Sequence, residues 1–229
     1  SIHPRTRFQA GLSIGRQKVK EAFTAVVDFI ASNDIEDSYL RHAGVMALVG
    51  TGGANTLSKH DSEAVRLSAV VALRRAQDPS IVQFLSDESE IVVLEAARAI
   101  HDDYSITEAL PALAKQLVFT DSENEALIRR LINANFRIGG SNEAYLVAEY
   151  AANPNHRMAM RLEALDALSL WSAPPLLDRV DGRRRYLEDR PIDKIAASIG
   201  SMLEGLLTSE DSELLQKTVE AANSLSVML

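Results

Sequence analysis

Apolar residues recur along this chain at a start position and again four, seven and eight residues later. That spacing places them within about 100° on a helical wheel, as one apolar stripe. Val65-Arg66-Leu67-Ser68-Ala69-Val70-Val71-Ala72-Leu73 reads as apolar, Arg, two variable, small, two variable, Ala, Leu. Leu40-Arg41-His42-Ala43-Gly44-Val45-Met46-Ala47-Leu48 repeats it, and so does Met160-Arg161-Leu162-Glu163-Ala164-Leu165-Asp166-Ala167-Leu168. Looser copies begin at Thr6, Val92 and Ile128. Aligned on their second position, the six copies fall at 7, 41, 66, 93, 129 and 161, with spacings of 34, 25, 27, 36 and 32 residues. Each interval is long enough for two short helices and two turns, so the pattern predicts an all-α array of about six helical hairpins. Five copies carry Arg in the aligned column, at Arg7, Arg41, Arg66, Arg129 and Arg161; Val93 departs.

Small residues four positions into the motif (Ala10, Gly44, Ala69, Ala96 and Ala164) let neighbouring helices approach closely. Shorter partner helices are expected over 22–31, 81–85, 109–117 and 144–152. Gly52-Gly53, Asp78-Pro79, Gly139-Gly140 and Asn153-Pro154 mark turns. Asp61-Ser62-Glu63 and Asp121-Ser122-Glu123 supply N-caps and acidic first turns. No stretch sustains a period of two, so no sheet is expected. The pattern breaks over Ser172–Pro191, which holds three prolines and mixed charge, and two further helices follow at 192–207 and 213–225. The expected organisation is therefore a repeat array over 1–172, a connecting loop over 173–191 and a capping helical pair over 192–229, in one continuous domain.

If the motif helices form the inner, concave wall, the wheel exposes motif positions two, three and six, counting the first apolar residue as zero. Position six runs Leu12, Met46, Val71, Arg98, Ala134, Asp166, from apolar to charged along the chain. Position two adds Phe8, His42, Leu67 and Leu94 at the apolar end. The candidate binding surface is thus Phe8, Leu12, His42, Met46, Leu67, Val71, Leu94 and Arg98. The competing expectation is that adjacent helices of a tightly curved array cover these residues.

Composition narrows the partners. Hydrophobic residues make up 46% and aromatics only 5%, so the core is Ala, Leu, Val and Ile, a palette that favours helices. A net charge of −8 opposes general binding to phosphate backbones. With no cysteine there is no disulfide, thiolate metal site or covalent haem attachment within these residues. No apolar run reaches the length of a membrane span, and no signal peptide is evident. The chain opens Ser1-Ile2-His3-Pro4 without a Met, which reads as a piece of something longer.

The motif resembles the HEAT repeat of the armadillo-like α-α superhelices, whose second helix reads Asp, a short turn, Val-Arg, then Ala and Leu. Asp61 to Arg66 matches well and Asp37 to Arg41 less closely. The Arg column is expected either to pair with acidic turn residues of its own or the preceding repeat, or to lie solvated on a buried stem. Several phrases are more specific: Tyr39 to Leu48, Val92 to Asp102, Asn133-Ala134-Asn135-Phe136-Arg137 with Gly139-Gly140, and Asp178-Arg179-Val180-Asp181-Gly182 after Trp171 and Pro174-Pro175. Their order is similar to the HEAT region of large exported bacterial proteins that join a sugar (glucose or sorbosone) dehydrogenase-like β-propeller, a helical array and a c-type cytochrome segment. The resemblance covers about residues 5–190. It implies a periplasmic or exported setting and a role beside redox domains. Propeller and Cys-x-x-Cys-His motif are both absent, so their activities do not transfer.

Candidate chemistry within the chain is sparse. Histidines stand at 3, 42, 60, 101 and 156; none is four residues from another, and none precedes a Glu. Helical iron hydroxylases of the HEAT class need such His-Glu dipeptides. His101 with Asp102 and Asp103 sits where a helix should end, a position the helix dipole favours for histidine. Arg129-Arg130 and Arg183-Arg184-Arg185 are the basic clusters; Asp178, Asp181, Glu188 and Asp189 surround the second. No catalytic, cofactor or metal residue is assigned. The favoured reading is a non-catalytic interaction or spacer module with a protein partner, no nucleic acid and no membrane insertion. The rivals are a HEAT-class enzyme, a DNA glycosylase-like nucleic-acid binder and a haem- or chromophore-handling module.

Overall fold

A computed structural model describes residues 3–33, 36–102 and 104–227. Asp103, one of the acidic residues beside His101, lies outside the described residues. Among the described residues, eleven α-helices joined by turns and short 3-10 segments make up the fold, with no strand and one isolated bridge between Leu177 and Arg184. The chain is of the all-α helical-repeat class, as the motif period requires. It divides into two compact units, 1–109 and 110–229.

Each motif copy lies on a helix: α1 (Pro4–Gln17), α3 (Ser38–Thr51), α4 (Glu63–Ala76), α5 (Glu90–His101), α7 (Glu125–Ile138) and α9 (Met158–Ser169). In five of them the apolar stripe is buried. Leu40, Ala47 and Leu48, then Val65, Ala69, Ala72 and Leu73, then Val92, Ala96, Ala99 and Ile100 fill the N-terminal unit. Ile128, Ile132 and Phe136, with Met160, Ala164, Ala167 and Leu168, do the same in the C-terminal unit. Removing such area from water contributes roughly 1.5–3 kcal/mol per large side chain.

The N-terminal unit also holds α2 (Phe23–Asn33) and 3-10 segments at Ala54–Thr56, Pro79–Phe84 and Tyr104–Ala109. Its motif helices pack in succession, α1 on α3, α3 on α4 and α4 on α5. Asp37 caps α3 by accepting from the Tyr39 and Leu40 N–H groups, and Ser62 caps α4 by accepting from Val65. The spacing between Arg41 and Arg66 leaves only residues 52–62 between α3 and α4, too few for a full helix and two turns. A single 3-10 turn replaces the first helix of that hairpin.

Helix α1 corrects the predicted register. Thr6, Ala10 and Ser13 are exposed, whereas Gly11 is buried. The cause is backbone contact: a Cβ at Gly15 would stand 2.3 Å from the Met46 carbonyl oxygen, and one at Gly50 2.2 Å from that of Gly15. Helices α1 and α3 meet at glycines, and that close approach turns the motif stripe of α1 away from the contact.

The C-terminal unit contains α6 (Leu110–Lys115), α7, α8 (Ser141–Ala152), α9, α10 (Asp193–Leu206) and α11 (Ser212–Ser224). Helix α9 packs on α7, α8 and α11, and α8 packs on α10. The two last helices lie within a residue or two of their predicted spans. Asn124, rather than the Asp121-Ser122-Glu123 cluster, caps α7, accepting from Ala126 and Leu127. Ser122 sits one step back, its hydroxyl accepting from the Asn124 N–H. Gly139 ends α7 at φ 77°, the left-handed conformation that favours glycine.

Candidate functional site: a bare helical face in the N-terminal unit

The predicted surface residues fall on α1, α3, α4 and α5 of one unit. Leu12, Met46, Leu67, Val71 and Leu94 are half-buried, as is Phe8; His42 and Arg98 are exposed. Position six does not stay open along the whole chain. Ala134, in the C-terminal unit, is fully buried, which corrects the expectation there.

Between α3 and α4 this face sinks into a cavity of about 330 Å³. Val45, Leu67 and Val71 supply apolar wall, with Arg41 and His42 from α3 and Ser68, Arg75 and Glu95 at the edges. Arg75 lies just beyond the nine-residue motif window, so the repeat alignment passed over it. A second hollow of about 350 Å³ lies between the starts of α1 and α3, lined by Pro4, Arg5, Phe8, Asp37, Tyr39 and Leu40. There Phe8 meets the exposed Tyr39 ring edge to face at 6.3 Å.

The aligned arginines have separate fates. Arg66 is buried: its Nε donates to Asp87 at 2.8 Å, and its Nη1 donates to the His60 and Asp61 carbonyls. Glu88 adds a contact at 3.1 Å. The acidic partners belong to the following turn, not to its own or the preceding one, which corrects the expected pairing. The Asp87 hydrogen bond raises the Arg66 pKa against the opposing effect of burial. Arg161 is buried and donates to the Ala151 carbonyl, Arg129 pairs with Glu163, and Arg7 donates to the Ser32 hydroxyl while lying over the Phe29 ring. Arg41 is exposed at the groove.

In the C-terminal unit the corresponding side of α7 and α9 carries the chain's own connecting segment. Asp178 accepts from Arg137 Nε at 2.8 Å and Asn133 Nδ2 at 2.9 Å, and buried Arg185 lies 3.4 Å away. Arg179, the next residue, reaches Glu163 at 2.8 Å and Asp166 at 3.3 Å on α9. Lys217 of α11 also holds Asp166, at 2.7 Å. Burial alone would raise the Asp178 pKa, but Arg137 and the Asp181 and Val180 N–H groups outweigh it and hold the carboxyl well below the usual range. The segment is pinned at its far end by Arg190, whose guanidinium lies 4.9 Å from the Phe136 ring centre and 5.3 Å from that of Trp171. Of the two basic clusters, Arg129 and Arg185 are thus engaged internally, and Arg130 donates to the Ala126 carbonyl. His101 ends α5, buried, with Nδ1 2.7 Å from the Asp102 carboxylate.

No helix among the described residues is long and apolar enough to cross a membrane. No family model and no curated protein matches the chain. Among solved structures it is similar to an engineered protein from the Northeast Structural Genomics Consortium, at 18% identity and a TM-score of 0.49, over 99% of this chain and 66% of that one. It is also similar to a designed armadillo repeat protein, at 18% identity and a TM-score of 0.48, over 93% of this chain and 99% of that one.

Proposed function

We propose that the chain is a non-catalytic interaction module whose N-terminal unit docks another polypeptide on the face of α1, α3, α4 and α5. One observation carries the reading. Equivalent sides of repeat helices are covered by the chain's own 178–185 segment in one unit and left half-exposed and apolar in the other. A contiguous apolar strip exposed on a folded unit is the usual mark of an interaction surface. The sequence resemblance favours a docked segment from the same parent protein, either the dehydrogenase-like propeller or the cytochrome segment, in an exported setting.

The test is the double substitution Met46→Lys with Val71→Lys. Both side chains are half-buried on the open face, outside the buried stripe. The variant is expected to fold as the wild type does and to lose association with separately produced flanking domains of the parent protein. Unchanged association would place the docking surface elsewhere. An unfolded variant would assign the strip to the core.

A further inference from the structure

Resting on that docking reading, we propose that the groove between α3 and α4 receives a non-helical polypeptide segment carrying carboxylates beside aliphatic residues. The floor asks for aliphatic groups: Val45, Leu67 and Val71 line a cavity of about 330 Å³, at the small end of binding pockets. The banks ask for negative charge. Arg41 and Arg75 stand exposed at the cavity, and neither has a carboxylate within salt-bridge distance among the described residues. Their neighbours differ: Arg66 is neutralised by Asp87 and Glu88, and Arg98 by Glu95. In a chain with 32 acidic and 24 basic residues, two such cations flanking one apolar groove make a local positive site.

The C-terminal unit shows the type of occupant that such a face accommodates. There an irregular chain segment lies on α7 and α9, with Asp178 engaging Arg137 and Asn133. Backbone N–H groups of Val180 and Asp181 turn back onto the same carboxylate, so the segment carries its own local geometry onto the helices. In the N-terminal unit the cations and the apolar floor are present, but no segment among the described residues fills the cavity. Charge complementarity of this kind steers the encounter and selects the partner more than it adds affinity. A phosphate backbone is the weaker match, because it needs a broad positive field and aromatic stacking rather than an aliphatic floor.

The experiment measures fluorescence anisotropy of the intact chain with fluorescein-labelled peptides that share their Leu positions and differ in the residues between them. The Glu peptide is expected to bind, weakening as salt rises. The Gln peptide should bind about tenfold more weakly, and the Lys peptide not at all. Arg41→Gln with Arg75→Gln should reduce the preference for Glu, and Arg41→Glu with Arg75→Glu should transfer it to the Lys peptide. Equal binding of Glu and Gln peptides would overturn the inference. So would binding of a labelled single-stranded oligonucleotide in place of the peptides. If no peptide binds while the flanking domains still associate and Met46→Lys with Val71→Lys still abolishes that association, this inference falls and the docking reading stands. If the flanking domains bind the Met46/Val71 variant normally, the docking reading itself falls.

Discussion

The two units use the same helical motif and finish the side opposite its buried stripe in different ways. In the C-terminal unit, Asp178 and Arg179 leave a connecting segment in opposite charge and fasten it to α7 and α9. In the N-terminal unit, Met46, Leu67, Val71 and Leu94 remain half-open. The motif thus fixes what five of its six helices bury, and it leaves the opposite side to whatever chain is at hand. Where the protein supplies that chain itself, the contacts are buried ion pairs. Such pairs gain little over an apolar replacement but cost a great deal when one partner is removed.

The largest expected effect strikes what the units share. Ala69→Asp or Leu73→Asp places an unpaired charge in a stripe that is 0% and 3% exposed, and should cost about 5 kcal/mol, enough to unfold the N-terminal unit. Lys115→Ala, at an exposed position, should stay within about 0.5 kcal/mol. Thermal melts followed by circular dichroism compare the three, and near-equal midpoints would show the stripe to be misplaced.

The next effect separates the units. Asp178→Ala removes one of the carboxylates shared by Arg137 and Arg185, whose side chains are 6% and 5% exposed, leaving them Asp181, and should cost the C-terminal unit about 3 kcal/mol. Trp171 is the sole tryptophan and lies in that unit, so its emission follows the loss directly. The same carboxylate predicts a pH dependence. Its folded pKa lies below the unfolded value, so its contribution is complete above about pH 4 and declines as pH falls. In Asp178→Asn the acid-induced decline of the Trp171 melting midpoint should flatten. An unchanged acid profile would assign the decline to other carboxylates.

A smaller effect concerns the clasp that holds the segment. At Gly139, φ is 77° and an added Cβ would stand 2.2 Å from Arg190 Nε. Gly139→Ala should therefore cost about 1–2 kcal/mol and shift Trp171 emission as Arg190 leaves the Phe136 and Trp171 rings. An unmoved spectrum would mean that the guanidinium yields without leaving the rings.

Much of this architecture is legible in the sequence because helical burial is periodic and local. Five motif stripes, the Ser62 cap, the turn at Gly139 and both C-terminal helices follow from spacing and residue type alone. What escapes depends on tertiary contact. The rotation of α1 is set by glycines meeting across a helix pair, although Gly11 and Gly15 at four-residue spacing are a visible hint. Arg66 finds its carboxylates at Asp87 and Glu88, about twenty residues onward, a distance no local pattern encodes. The Asp178-Arg179-Val180-Asp181-Gly182 phrase stands out in the sequence, but only the fold brings it to Arg137 and Glu163. For the candidate surface, periodicity located the helix side, whereas Arg75 and Glu95 joined it through packing of successive helices.

The open face of the N-terminal unit is proposed to be covered by another polypeptide. Hydroxyl-radical footprinting of methionines tests this most directly, because thioether oxidation follows solvent access. In the isolated chain, half-buried Met46 and the 37% exposed Met158 should oxidise, whereas fully buried Met160 should not. With the proposed partner domains bound, Met46 should become protected while Met158 keeps its rate; Met46 oxidising equally fast with and without them would contradict the proposal.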